Sequence, residues 1–488
     1  MLFNSHFFIF IFLPISIFGY FFLHKLKYPQ YAGCFLVAMS LWFYAANDIR
    51  SVPILLASII LNYYLGKFIL KSDSEKTKKI LCIIGVIINL GMLGVFKYLN
   101  FFMSNVYMLF GQSYSPISMI LPLGISFFTF QQISYLIDCK NNGASEYSLW
   151  EYAVFASFFP YVTSGPIAFH SEIIPQMRLK KNFKPSACNL SRGLTAFAFG
   201  LFKKVVIADT FGLAVSYGWS NVDSLNATSA IIVILSYTLQ LYFDFSGYSD
   251  MASGIALCFN INLPINFDSP YKARNIAEFW KRWHMTMTRF FTRYVYIPLG
   301  GNRKGLARTC LNTMIIFLIS GLWHGAAWTF ILWGGLHGVA MVISRLISSK
   351  TDKHLPYPIG WFFTFIFVNI CWVFFRAPGI HSAFSMLKRL TSGFGSIPSA
   401  IYQCFMTTET KIFDALLSVN NVNSSVIGYV SCVIFIIFAL IIALFPKNIQ
   451  RLLQDFKPSV PLCIATAFIF FWSVISISGI STFLYFTF

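Results

Sequence analysis

Apolar runs long enough to cross a membrane recur along almost the whole chain, and they decide what it can fold into. A helix spans the hydrocarbon core with about 20 residues, and segments 6–23, 31–47, 52–70, 79–99 and 117–137 each suit that length. Further apolar segments lie near 190–217, 226–258, 309–347, 357–375, 425–445 and 460–480. Lipid offers no water to satisfy an open sheet edge, so spanning segments of this kind must be helical. The pattern predicts an all-α multi-pass membrane protein with about 10–12 spanning or re-entrant helices. With no Gly/Ser linker and no soluble module, residues 1–488 read as one domain. Only 11% of the 488 residues are charged, against about 25% in soluble proteins. A water-facing surface could not be covered with so few charges.

The charges that are present report orientation. The net charge of +19 comes from short basic patches between apolar runs, not from one basic face, so it points to the cytoplasmic side of a bilayer and away from nucleic acid. Phe7 to Leu23 lacks a basic leader and a small-residue cleavage site, so it reads as a retained first helix. His24, Lys25 and Lys27 follow it and place residue 24 inside. The polar run Lys71 to Lys79 is then cytoplasmic, as is Asp138 to Tyr147. Residues 149–168 are apolar but carry Pro160, Gly165 and Pro166, and Arg178 to Lys184 is basic again. A segment with both flanks on one side dips in and returns, which requires it to be buried in protein or beside a watery cavity. The polar stretch 394–424 reads as a loop. Ten scattered cysteines show no Cys-x-x-Cys and no metal spacing, so no metal site is expected. There is no internal repeat, which counts against a transporter.

Three stretches break the pattern of a plain bundle. Asp244 and Asp250 lie within an apolar surround, where a carboxylate is costly unless paired or solvated. A structural role, capping or hydrogen-bonding the following helices, fits each of them alone somewhat better than a functional one. Lys272 to Arg308 holds nine basic residues against the single acid Glu278. Within it Trp280, Trp283, His284, Met287 and Phe291 share one helical face, while Arg282, Arg289 and Arg293 share another, as in an interfacial amphipathic helix. These arginines are either ordinary positive-inside residues or contacts for the phosphates of an acyl donor. The third stretch is Ser320 to Trp328, around Trp323, His324 and Gly325. Entering from the basic side at Thr309, a helix rises roughly 22 Å by residue 323, which buries His324 deep in the membrane. Gly325 allows a break there; an unbroken helix to Ser344 would also keep His324 near mid-depth. A histidine at that depth is available as the neutral imidazole a general base needs, although a buried histidine satisfied by a carbonyl fits the same pattern. His337, 13 residues on, would face away from His324 on a continuous helix.

Together these stretches resemble a known family. Asp244-Phe-Ser-Gly-Tyr-Ser-Asp250, Asn266-Phe-Asp-Ser-Pro-Tyr271, Phe279-Trp-Lys-Arg-Trp-His284, Tyr296-Ile-Pro-Leu-Gly-Gly301 and Leu322-Trp-His-Gly325 look like motifs of the membrane-bound O-acyltransferase (MBOAT) family. Pro122 to Gln131 and Ser164-Gly-Pro166 fit as well, and the resemblance spans about residues 90–375. The nearest branch is that of bacterial alginate and peptidoglycan O-acetylation subunits. The resemblance implies a ring of helices around a central funnel with a thin re-entrant floor. It implies His324 as the catalytic histidine and His284 as the second one, with Trp283 and Trp323 beside them at the substrate or donor. Acetyl-CoA from the cytoplasm would be the donor, and no bound cofactor is implied. An extracytoplasmic SGNH-esterase-like partner would complete transfer to a polysaccharide, and the site of action would be the bacterial inner membrane. The tail Phe483 to Phe488 is similar to aromatic tails of relatives. Three other readings remain: a carrier of acetyl groups or lipid-linked sugars, a scaffold for a secretion complex, and a D-alanyl transferase acting on teichoic acid.

Overall fold

The structure is a computed structural model that describes residues 1–351, 355–406, 424–477 and 483–484. Among these the chain is helical, with no strand. In chain order the helices are α1 (Phe8–Lys25), α2 (Pro29–Ala45), α3 (Ile49–Lys71), α4 (Glu75–Leu109), α5 (Ile125–Lys140), α6 (Leu149–Ser157) and α7 (His170–Arg178). Then come α8 (Ala187–Phe202), continued after a turn by a further helix, Asp209–Ser220, and α9 (Ala227–Cys258), α10 (Ile276–Arg282), α11 (Met285–Phe291), α12 (Gly305–His324) and α13 (Trp328–Ser348). The last are α14 (Tyr357–Arg376), α15 (Ile380–Arg389), α16 (Ser424–Leu444) and α17 (Val460–Ile475). Eight helices among the described residues are long and apolar enough to cross a membrane. Their lipid-facing sides carry exposed Phe, Ile and Leu, such as Phe18, Ile87 and Phe363.

Alternate connections gather at opposite ends of the bundle, and hydrogen bonds tie each set together. At one end Arg178 reaches Glu151 and the Glu146 carbonyl, Asn260 reaches the Asn182 and Lys184 carbonyls, and Lys272 reaches the Phe445 and Pro446 carbonyls. The basic stretches around Lys27, Lys79 and Lys181 meet here, with His24 stacked on Phe183 and Lys78 bonded to Asn142. At the other end Arg389 pairs with Asp223, and Asn226 donates to Ser396 O. The single-sided charge is what the alternation of spans in the sequence demanded.

The most intimate contact is between α8 and α9. A Cβ on Gly200 would lie 2.6 Å from Gly247 O, and one on Gly247 would lie 2.7 Å from Gly200 O. Such backbone-to-backbone approach is how helices gain packing energy in lipid, where apolar burial adds little. Just beyond it, α8 runs into the π-helical turn Lys203–Ala208. That turn aims two lysines inward. Lys203 Nζ lies 2.6 Å from Asp250 Oδ2, and Lys204 Nζ lies 2.7 Å from Asp244 Oδ1 and 2.8 Å from Asp209 Oδ1.

The structure agrees with the re-entrant expectation and shifts several boundaries. α6 and α7 enter and leave at the basic end, joined through 158–169, with Arg178 clamped on Glu151 at the mouth. The span expected at 117–137 begins only at Ile125, because Pro122 and the left-handed Gly124 (φ 73°) stop a helix from starting earlier. The span expected at 79–99 runs to Leu109 through a π-helical turn, Gly94–Tyr98. The single amphipathic helix expected between Lys272 and Arg308 is two helices, α10 and α11, broken at His284. Within the expected loop 394–424, residues 399–405 form short helical turns, and 407–423 lie outside the described residues. So do Tyr485 to Phe488 of the aromatic tail.

Candidate functional site

His324 ends α12, and the local sequence explains why the helix stops there. Gly325 and Ala327 both take extended backbone (φ −162° and −151°), so the chain turns and restarts at Trp328. The break that Gly325 permits is therefore used, and α12 and α13 form a hairpin with the histidine at its bend. The final carbonyls of a helix have no partner within it. Here α4 supplies them: Lys97 Nζ donates to Trp323 O at 2.7 Å and His324 O at 3.0 Å, and the Tyr98 hydroxyl donates to Leu322 O at 2.9 Å. The cation also opposes the negative end of the α12 dipole. Both donors sit in the π-helical turn of α4, a distortion common at functional sites.

His284 is placed by a different device. It lies between α10 and α11 with φ 43°, a conformation that costs a non-glycine residue on the order of 1–3 kcal/mol. Asn266 holds it there. Its Oδ1 accepts from the Thr286 amide (3.3 Å) and hydroxyl (2.8 Å) and contacts His284 Nδ1 at 3.1 Å. Its carbonyl accepts from the Met285 amide at 2.9 Å. With Oδ1 already an acceptor for Thr286, Nδ1 of His284 is the donor, and Nε2 therefore carries the lone pair. Thr286 Oγ1 also accepts from Ile167 N at 3.0 Å, which ties this turn to the first re-entrant segment.

The two imidazoles meet in the middle of the bundle, with ring centroids 6.3 Å apart. His284 is 0% and His324 3% exposed. Trp323 packs against both, at 5.9 Å and 4.9 Å. Phe245 and Phe267 border His284, while Trp333 and Phe375 border His324. Two cavities approach the pair. One of about 110 Å³, lined by Lys97, Leu121 to Phe127, Thr163, Trp323 and His324, lies at the end away from the basic loops. A larger one of about 500 Å³ runs between α10–α11 and the hairpin, with Lys281 and Arg345 toward the basic end and Met287 and Ser320 at its inner end. Ser320 is four residues before His324, on the same helix face one turn away.

The remaining expected site residues separate into those near the pair and those committed elsewhere. Trp283 stacks on Phe279 at 5.6 Å and meets Trp372 at 4.9 Å, so it walls the site. Arg282 is bonded to Glu278 and Asp268 O. Arg289 pairs with Glu172 and lies 4.2 Å over the Phe169 ring. Arg293 bonds both oxygens of Asp138 at 3.0 Å. The last two pairs fasten α11 and the π-helical turn after it, Thr292–Tyr296, to α7 and α5, so they brace the re-entrant floor. Asp244 and Asp250 are held by Lys204 and Lys203. His337 accepts from Trp280 Nε1 at 3.2 Å and is separated from His324 by Trp333, whose ring lies about 5 Å from each. Sequence reasoning passed over Lys97, although a lone lysine deep in a long apolar run is a signal by itself. It also passed over the hub where His170, Arg293 and Tyr294 converge on Asp138. Among the described residues, no group of three or more His, Cys, Asp or Glu could hold a metal.

Comparison with known proteins gives this geometry a context. A family model for the membrane-bound O-acyltransferases, MBOAT, matches residues 39–380. The chain is 40% identical to the peptidoglycan O-acetyltransferase of Helicobacter pylori, over 100% of this chain and 98% of that protein. It is 36% identical to the probable alginate O-acetylase AlgI of Pseudomonas putida, over 80% of each chain. A teichoic acid D-alanyltransferase of Streptococcus thermophilus is 30% identical over 46% of this chain and 56% of its own length.

Proposed function

Because the chain belongs to the membrane-bound O-acyltransferase family, we propose that it takes acetyl groups from acetyl-CoA at its basic end and passes them across the membrane for O-acetylation of a cell-envelope polysaccharide. The observation that carries this reading is the buried His284–His324 pair, with His324 lining one cavity and a larger one reaching Met287 and Ser320, about a turn from each histidine. Basic loops favour the cytoplasm, so the basic end faces the donor pool of a bacterial inner membrane. The larger cavity is mostly apolar along its length and has Lys281 and Arg345 near its mouth. That suits a thioester arm inside and phosphates outside.

In this scheme the acceptor hydroxyl enters from the opposite side. His324 removes its proton as the oxygen attacks the thioester carbonyl, a general-base role worth about 10²–10⁴-fold. The thiolate leaves with the donor, and the proton on His324 is returned to it. His284, 6.3 Å away and with a lone pair on Nε2, orients the donor and leaves the single hydroxyl proton to His324. Lys97 fixes His324 through the end of α12.

The full-length similarity to a peptidoglycan O-acetyltransferase favours peptidoglycan as the final acceptor. An extracytoplasmic SGNH-esterase-like partner would complete delivery to the polymer. Teichoic acid D-alanylation is disfavoured, since its named relatives match only about half of the chain. The test is ester-linked acetate released by mild base from purified envelope polysaccharides, wild type against His324→Ala at matched membrane levels. Acetate lost from peptidoglycan in the variant supports the reading. Acetate unchanged in every polymer overturns it in favour of a carrier or scaffold.

A further inference from the structure

A third cavity, of about 450 Å³, lies between α16, the shorter apolar helix α17 and the α8–α9 core. Its walls are mostly Phe199, Phe202, Phe438, Phe468, Ile469 and Trp472; Ser269, Lys447 and Asn448 lie at one end, and farther in are Tyr242 and Lys203, the latter paired with Asp250. That end is the basic end of the bundle. Apart from that neutralised pair and one tyrosine, the cavity is apolar inward and cationic at the interface.

Its depth is that of one leaflet. Phe468, Ile469 and Trp472 lie eight to twelve residues into α17, which places them roughly 12–18 Å above its start. Half of the hydrocarbon core is about 15 Å. Phe438 and Phe468 are 39% and 64% exposed, so the cavity opens sideways to the bilayer between α16 and α17.

The charges at the mouth have an excess of one sign. Of the acids beside the cavity, Asp250 and Asp268 are already paired with Lys203 and Arg451. Lys272 donates to the carbonyls of Phe445 and Pro446 at 2.8 Å and adds a second cation beside the mouth. Lys447 is exposed and makes no ion pair to another described residue. We propose that this cavity binds one anionic phospholipid of the cytoplasmic leaflet, its phosphate on Lys447 and one acyl chain between α16 and α17. Apolar contact alone would accept any lipid; the unpaired cation selects an anionic one. The lipid would fill the gap that separates the outer helices from the buried Lys203–Asp250 pair.

The test uses the full-length protein, extracted in mild detergent, stripped of lipid, and re-exposed to vesicles of phosphatidylglycerol or phosphatidylcholine. Native mass spectrometry then counts lipids retained per chain. One phosphatidylglycerol is expected on the wild type, with retention lowered about tenfold by Lys447→Glu through charge and by Ile469→Trp through loss of space. Both variants lie away from the histidines, and an unchanged elution profile shows that they remain folded. Equal retention of phosphatidylcholine, equal retention in the two variants, or no retained lipid on the wild type would each overturn the proposal.

Discussion

Two groups of buried polar side chains sit deep in this bundle, and they are built on opposite plans. In the first, Lys203 and Lys204 meet Asp250, Asp244 and Asp209 at 2.6–2.8 Å, and Gln450 and the Leu484 amide contribute further hydrogen bonds to the two aspartates. Every charge there is answered by an opposite charge. In the second, His284 and His324 are ringed by aromatic side chains, and His324 lines a small cavity. Burial, a costly side chain and motif membership are common to both groups. In the first group each charge is spent on an opposite one, whereas His324 lines a cavity between aromatic walls, and that separates a site from a strut.

The largest effect should come from the histidines. His324→Gln should lower acetyl transfer by about 10²–10⁴-fold while the purified protein keeps its elution volume and thermal midpoint. Failure of that protein to assemble would place His324 among the struts. Next is the ion-pair group: Lys204→Met leaves Asp244 and Asp209 without their cation, and removing one partner of a buried pair costs about 3–5 kcal/mol. The reading is a drop in membrane yield and unfolding temperature. Removing both partners of the simpler pair, Lys203→Met with Asp250→Leu, should be far milder, because two apolar groups replace two matched charges. If that double variant is as damaged as Lys204→Met, the pair does more than hold the seam.

Asn266→Ala tests the link between support and chemistry. It frees the His284 ring from its hydrogen bond, and a loss on the order of 10–10²-fold in transfer is expected from misplacement, with a smaller change in stability. The smallest effect concerns Glu151 at the mouth of the first re-entrant segment. Burial alone would raise its carboxyl, but Arg178 and the Ser148 amide and hydroxyl outweigh this and hold it below the usual range. A carboxylate held low adds stability above its unfolded value of about 4.3, and that stability is lost as pH falls through the lower folded value. The thermal midpoint of the wild type should therefore fall more steeply below about pH 4.5 than that of Glu151→Gln.

Much of this was legible in the sequence because lipid is an unforgiving solvent. Apolar length gave the spans, the basic patches gave the common end, and Pro160 with Gly165 and Pro166 marked the re-entrant segment. His324 was legible for the same reason, with Gly325 showing where its helix could break. The turn at His284 was not. Trp280, Trp283, Met287 and Phe291 keep helical spacing straight through it, and only tertiary bonds from Asn266 and Thr286 reveal that the chain folds back. The partners of Asp244 and Asp250 were hidden because a π-helical turn, which periodicity does not mark, aims Lys203 and Lys204 inward. The same kind of turn delivers Lys97 to the end of α12.

The most direct test of the account sets its two buried groups side by side. Ester-linked acetate is measured in peptidoglycan from cells carrying His324→Gln and from cells carrying Lys203→Met with Asp250→Leu, at matched membrane levels. The account predicts acetate lost in the first and retained in the second. Acetate retained with His324→Gln, or lost only with the double variant, would contradict the assignment of chemistry to the histidine pair.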